Sequence, residues 1–409
     1  MHLLSARGFR AAGVAAGIKI SGKPDVGLLV ADRPVAAAAA FTVNKVFAAP
    51  IEVGRRHVRG GALRGVVLNS GNANACTGKQ GLADATRMCA LAAQLTRAKT
   101  TDFLPSSTGI IGHPLPMDKV CAGVRAAAAD LGDSETHATD FTNAILTTDT
   151  VRKFAAATLR VGGKTVTITG ICKGAGMIGP RMQVPGAQRL PQATMLAYLL
   201  TDAEVEPEFL RIFLQLSTEL SFNCVTIDNH MSTNDTAVLM ASGASGAKLS
   251  DGASQGKFTG ALIDVCQSLA QQIAADGEGA TKQVTVRVRA AKTDRDARTI
   301  ARAIADSPLV KCALHGNDPN WGRIVSAAGM CGAAFDPQKA KLTLAGTVVY
   351  RAGRPVGFDP DIVSRAMSGK ELPIDLHCGM KPEPGLGDAT VWTCDFSKEY
   401  VTINADYHT

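Results

Sequence analysis

Apolar and polar residues fall into short blocks along the chain, separated by glycine, proline and aspartate. The blocks predict a mixed succession of strands and helices. Val26–Val30, Val35–Val43 and Val66–Asn69 read as strands, and the segment AAFTVNKVFAAP (Ala39–Pro50) closes one of them at a proline. Leu82–Ala98 and Met117–Leu131 carry apolar residues at helical spacing, with arginines on the other side. Ala155–Val161 and Thr165–Thr169 alternate across Gly162–Gly163, the pattern of a hairpin that delivers the chain to a glycine turn at Lys173. After that turn, Met195, Leu196, Tyr198, Leu199 and Leu200 read as a helix-like run. A helix at Pro207–Ser221, strands at Cys224–Ile227 and Ala237–Ala241, and a long amphipathic helix within Leu249–Ala275 follow. Beyond them come a strand at Gln283–Arg289, a helix at Asp294–Ser307 and a strand-rich end. A chain of 409 residues exceeds one ordinary domain, so two lobes or one large layered domain is expected. No internal repeat or low-complexity linker interrupts it, so the halves are expected to pack as one body.

Composition narrows the function classes. A hydrophobic content of 46% supplies an ample core, and 41 glycines fit tight turns and close packing. The net charge of +7 is modest, basic residues form no stripe, and aromatics do not interleave with them, which argues against nucleic acid as a partner. The ten cysteines stand singly, without a CxxC pair, and read as reduced thiols rather than a disulfide framework. No apolar run approaches the roughly 20 residues of a membrane span, and the N-terminus has no continuous apolar signal core. The expectation is a soluble, cytoplasmic protein without a membrane partner.

Several stretches carry candidate chemistry. NSGNANACTG (Asn69–Gly78) is a run of small polar residues after a strand; it reads as a turn or a ligand-facing loop, and the turn is favoured. In LPSSTGIIG (Leu104–Gly112), Thr108–Gly109 is either a turn or a place where backbone N–H groups point into open space, as an oxyanion site requires. Asp228, His230 and Asp235 in DNHMSTNDT raise a metal site, but Asn, Ser and Thr neighbours favour a loop held by side-chain–backbone bonds, and no metal is assigned. Thr194, after the small Ala193, reads on its own as a helix N-cap, the commonest use of threonine at such a seam.

Taken together and in order, KGAGMIGP, the later AT-ML-TDA, STGIIG, NSGNANACTG, TTDT, STNDT, EGATK, HGNDPNWGRI and the terminal NADYHT resemble the ArgJ family, the ornithine acetyltransferases or glutamate N-acetyltransferases of arginine biosynthesis. The resemblance runs from about Gly8 to Thr409. It implies an α/β (α+β) sandwich of the ArgJ/DmpA-like type, layered like N-terminal-nucleophile hydrolases. It further implies a precursor that cuts itself at Ala193–Thr194, giving chains 1–193 and 194–409 that stay together as a heterotetramer of two alpha and two beta chains. Thr194 is then the nucleophile, and Thr108 and Gly109 form the oxyanion hole. Thr147, Lys173, Thr194, Glu278, Asn404 and Thr409 fall on substrate-binding positions.

The substrates implied are N-acetylornithine and glutamate, with acetyl-CoA as a further donor in bifunctional members; no cofactor is called for. The residue types suit that chemistry, because an N-terminal threonine carries its own amine as base. Lys173 supplies charge for a carboxylate, and Glu278 for the ornithine ammonium group. Two readings compete: a self-cleaving threonine amidohydrolase or aminopeptidase, which passes the acyl group to water, and an uncleaved non-catalytic paralogue. Two departures from the family pattern stand out. Gln183–Gln192 lies between Met182 and Ala193 where the family's run is short, and DNHM at Asp228–Met231 replaces a more usual DGDM.

Overall fold

The computed structural model describes residues 1–179, 181–185, 195–380 and 387–406. They fall into two compact units, one formed by Met1–Asn223 with His230–Leu269 and the other by Cys224–Asn229 with the chain from Ala270 onward. These units are not the two chains that a cut at residue 193 would leave.

The first unit is built on one sheet. Its strands are β1 (Phe9–Val14), β2 (Val26–Thr42), β3 (Ala62–Asn72), β4 (Phe103–Ile110), β5 (Lys153–Val161), β6 (Lys164–Lys173), β7 (Met182–Gln183), β8 (Leu196–Thr201) and β9 (Thr236–Ala241). The order across the sheet is β4-β3-β2-β9-β8-β6-β5, with β1 and β7 also pairing with β2. β3 with β4 and β8 with β9 run parallel; the other pairs are antiparallel. The helices of this unit are α1 (Ala49–His57), α2 (Gly78–Thr96), α3 (Met117–Ala129), α4 (Glu135–Ile145), α5 (Pro207–Glu219) and most of α6 (Gly252–Ala275).

Alternation along the strands sends side chains to two cores. Leu29 and Ala31 of β2 join Phe141 and Ile145 of α4, whereas Leu28 and Val30 join Met88 of α2 and Val120 of α3. A sheet covered on both faces reads as nearly continuous apolar sequence, and β8 is buried at every residue. This corrects the helix-like reading of Met195–Leu200: with both faces buried, neither period survives in the sequence. Tyr198 meets Phe141 edge-on at 5.6 Å between ring centroids. Val26–Val30 and Val35–Val43, read as two strands, belong to the single strand β2, whose register shifts between Val30 and Val35; Arg33–Pro34 makes a bulge rather than a turn. The hairpin across Gly162–Gly163 is present as β5–β6.

In the second unit β10 (Gln283–Arg289), β11 (Lys341–Leu344), β12 (Thr347–Arg351), β13 (Arg354–Pro355), β14 (Glu371–His377) and β15 (Ala389–Cys394) form a sheet ordered β13-β12-β11-β14-β10-β15. With it go α7 (Asp294–Asp306), α8 (Pro308–His315), α9 (Trp321–Gly329), α10 (Pro360–Met367) and α11 (Lys398–Asp406). Val284, Val286 and Val288 of β10 face a core shared with Ile300 and Ile304 of α7. Cys224–Ile227 is not a strand: it makes only the isolated bridge Val225 to Trp392. The strand-rich end is present as β11–β15, followed by the helix at Lys398–Asp406.

All ten cysteines are free thiols. Among the described residues, no helix is long and apolar enough to cross a membrane, and no group of three His, Cys, Asp or Glu side chains forms a metal cluster.

Candidate active site

Thr108 and Gly109 sit at the carboxyl end of β4, not in a turn. Their neighbour is the end of β3, where Ser70 pairs with Thr108 and Gly71 with Gly109 before the register breaks. Gly109 has φ +129°, and a Cβ there would lie 2.3 Å from the carbonyl carbon of Gly71. Only glycine permits that approach. Thr108 itself is nearly buried.

A lattice of buried amides fixes these strand ends. Ser107 Oγ donates to Asn69 Oδ1 at 2.6 Å, and Asn69 Nδ2 donates to the Asn72 carbonyl at 2.8 Å. Asn72 Nδ2 reaches the His113 and Pro114 carbonyls at 3.2 and 3.1 Å. Asn234, from the loop before β9, donates to the Ala73 carbonyl at 2.6 Å and to the Ser107 carbonyl at 2.9 Å. The run Asn69–Asn74 is therefore the end of β3 and its exit, largely buried, with its side-chain amides bonded inward. The STND segment, read as a loop held by side-chain–backbone bonds, is one, and its target is the residue before Thr108.

A second cluster lies at the end of β6. Lys173 is 7% exposed, and its Nζ is 4.0 Å from Asp149 Oδ2. Lys153 Nζ meets Asp149 Oδ1 at 2.7 Å with both side chains fully buried. The Gly174 N–H donates to the same carboxylate at 2.6 Å, and the Thr147 N–H at 3.2 Å. Burial opposes ionisation of Asp149, but Lys173, Lys153 and the Gly174 N–H outweigh it and hold the carboxyl at about 2. Thr147 and Lys173 are thus brought together by a residue that sequence reading passed over. Within TTDT the resemblance marks only Thr147; no helical spacing links Asp149 to Lys153, and the fold at the start of β5 brings them together.

The second unit brings Glu278 and Asn404 together. Asn404 Nδ2 donates to Glu278 Oε2 at 2.9 Å and to the Tyr400 carbonyl at 2.9 Å. The EGATK loop is seated on α11: Ser397 Oγ donates to the Gly279 carbonyl at 2.6 Å, and a Cβ on Gly279 would strike the Tyr400 nitrogen at 2.5 Å. Asp395 accepts from the Thr281 and Lys282 N–H groups and pairs with His315 Nδ1 at 2.7 Å. EGATK and HGNDPNWGR therefore share one anchoring carboxylate. Ala193, Thr194 and Thr409 lie outside the described residues, as do residues 186–192. Of the inserted stretch, Gln183 pairs with Phe41 in the sheet and the Val184 N–H donates to Gln215 Oε1 at 2.9 Å.

Fold and clusters together define a mixed α/β protein whose polar residues gather at strand ends in the first unit and at a loop seated on a helix in the second. The chain belongs to the ArgJ family: residues 10–409 match that family's model. It is 46% identical over 408 residues to the arginine biosynthesis bifunctional protein ArgJ of Symbiobacterium thermophilum, covering 98% of this chain and 97% of that one. It is 43% identical over 411 residues to the protein of the same name from Geobacter sulfurreducens, covering 99% and 100%. The crystal structure of arginine biosynthesis bifunctional protein ArgJ from Bacillus halodurans is similar at 35% identity, over 50% of this chain and 96% of that one, with a TM-score of 0.48.

Proposed function

We propose that this protein is a glutamate N-acetyltransferase of arginine biosynthesis, which moves acetyl from N-acetylornithine to glutamate through an acetyl-Thr194 intermediate. The observation that carries the reading is whole-length membership of a family whose curated members bear the name bifunctional ArgJ. Acetyl-CoA, the further donor that the family resemblance implies, is a second substrate in this reading. The chain first cuts itself between Ala193 and Thr194, and the two products work as one enzyme in the cytoplasm, two of each in the assembly.

The new amine of Thr194 has an ordinary pKa of about 7.7–8.0, so a useful fraction is neutral and takes the hydroxyl proton. Oγ attacks the acetyl carbon, and negative charge gathers on the carbonyl oxygen opposite Thr108 and Gly109. The C–N bond breaks, and ornithine leaves with the proton. Glutamate then attacks the ester through its amine, and Thr194 regains its hydroxyl. Lys173, with Asp149 behind it, holds the α-carboxylate common to both amino acids. Glu278 with Asn404 receives the ornithine ammonium group. The two substrates can react in turn because they are alike at the α-carbon.

The test is intact mass and initial-rate kinetics. Purified protein should contain Met1–Ala193 and Thr194–Thr409. N-Acetylornithine alone should add one acetyl group to the second chain, glutamate should remove it faster than buffer, and double-reciprocal plots should be parallel. An uncut chain, or acetyl loss that ignores glutamate, would overturn the reading in favour of a binding protein or a hydrolase.

A further inference from the structure

The turn between β1 and β2 lies against the strand ends that carry Thr108 and Gly109, and Asp25, the residue before β2, holds it there. The Asp25 carboxylate accepts the N–H groups of Ala16, Ile18 and Lys19 at 2.7, 2.6 and 3.0 Å. Its carbonyl accepts the Ser70 N–H at 2.8 Å, and Ser70 pairs with Thr108. One residue further along β3, Gly71 pairs with Gly109. A Cβ on Gly71 would lie 3.2 Å from both Ile18 Cγ2 and Lys19 Cγ. The stem of Lys19 therefore passes directly beside the glycine that faces Gly109.

Lys19 is half-buried. Its Nζ donates to the Pro24 carbonyl at 2.7 Å, which uses one of its three protons. Among the described residues it makes no ion pair, because the acid beside it, Asp25, is taken up by backbone N–H groups. It feels Asp25 and Lys23 from its own turn, and Lys173 and Asp149 from the cluster at the end of β6. Burial lowers the ammonium group to about 8; Asp25 and Asp149 raise it, and Lys173 and Lys23 lower it. Three ammonium groups, Lys19, Lys153 and Lys173, thus meet two carboxylates, Asp25 and Asp149, and Lys23 adds a further charge from the exposed side. A half-buried surplus of positive charge is costly alone and is relieved by an anion.

We propose that Lys19 is a substrate-binding residue that receives the second carboxylate of glutamate and so selects the acceptor. The proposal rests on the transferase reading given above. N-Acetylornithine brings one carboxylate, and in that reading Lys173 takes it. Glutamate brings two, so its γ-carboxylate calls for another cation near the first. Lys153 cannot serve, since it is fully buried against Asp149. Lys23 is exposed to solvent, where an ion pair is worth little. Lys19 has two N–H donors to spend, is partly withdrawn from water, and lies beside the strand ends where the acetyl group is held in the same reading.

The experiment measures kcat/KM separately for N-acetylornithine and for glutamate in the wild-type enzyme, Lys19→Met and Lys19→Arg. Intact mass and melting behaviour check that each is processed and folded alike. Lys19→Met should lower kcat/KM for glutamate about tenfold or more, the weight of a hydrogen bond to a charged group, and leave that for N-acetylornithine unchanged. Lys19→Arg, which keeps the charge, should restore most of the loss. The ratio of wild-type to Lys19→Arg in kcat/KM for glutamate should then fall as pH rises through about 8, because the lysine loses its proton and the guanidinium does not. Titration of the glutamate and Thr194 amines is common to both enzymes and cancels in that ratio. Equal losses for the two substrates in Lys19→Met would make Lys19 a structural residue and overturn the proposal. Should Lys19→Met not fold or not be processed, the ratio decides, and a ratio flat across pH overturns the proposal. A wild-type enzyme that passes no acetyl group to glutamate removes the transferase reading, and this proposal with it.

Discussion

Asp149→Asn tests whether the Lys173 cluster is held by charge. The carboxyl titrates at about 2 against an ordinary 3.8. At ~1.36 kcal/mol per unit that difference favours the folded state by roughly 2–3 kcal/mol at neutral pH. Because the folded pKa is depressed, the contribution is complete above the ordinary value and is lost as pH falls from about 4 to about 2. Removing one partner of a buried pair costs more than this, roughly 3–5 kcal/mol, because Lys153 loses its 2.7 Å contact at full burial. That is a large share of the ~5–15 kcal/mol of a typical domain. The comparison belongs in a Thr194→Ala background, so that cutting does not differ between the proteins. Both tryptophans lie in the second unit, so their fluorescence would miss the change. Far-UV circular dichroism in urea, with hydrogen exchange at β6, reads the first unit. The variant should lose at least about 2 kcal/mol at pH 7, and the gap should close toward pH 2. A loss under about 1 kcal/mol, or a gap that stays constant into acid, would refute the argument.

Gly109→Ala forces a Cβ against the Gly71 backbone at φ +129°, so β3 and β4 must part at the proposed oxyanion site. An expected fall in kcat of about 10²–10³-fold with little change in KM is read by initial rates; wild-type kcat would exclude Gly109 from that site. Glu278→Gln keeps an acceptor for Asn404 Nδ2 but removes the charge. It should raise KM for N-acetylornithine about tenfold, the lower end for a hydrogen bond to a charged group, and leave KM for glutamate unchanged; equal shifts for both substrates would refute the assignment.

What could be read in advance divides along physical lines. The β5–β6 hairpin was legible because alternation and Gly162–Gly163 are local signals, and α7 because its apolar stripe repeats at 3.6 residues. β8 was not legible, since six consecutive buried residues erase the alternation that marks a strand. β2 was split in two because Arg33–Pro34 gives the same sequence signal as a turn; pairing with β3 and β9 decides that it is a bulge. In the candidate site, Thr108, Gly109, Thr147, Lys173, Glu278 and Asn404 were reached through the family resemblance. Their supports were not. Asn234 acts across a long stretch of chain, and nothing in its immediate neighbours announces which distant carbonyl it will meet. Asn234 reaches Ser107 from 127 positions away.

The order of strands in the first unit has a consequence for how the two cleaved chains would live together. Across β4-β3-β2-β9-β8-β6-β5, the middle two strands come from beyond Thr194 and all the rest from before it. The second chain therefore interrupts the first. Withdrawing the second would tear the first chain's sheet into two fragments with raw edges, β2 on one side and β6 on the other, and strip both of their neighbours' apolar cover. Exposed edges of that kind seek new partners and aggregate. Dilution alone then does not part the chains, and neither can be expected to assume its shape alone. On the reading of Thr194 as the point of self-cleavage, the bond would have to survive until the sheet has closed around β8 and β9, and folding would set the clock for the cut.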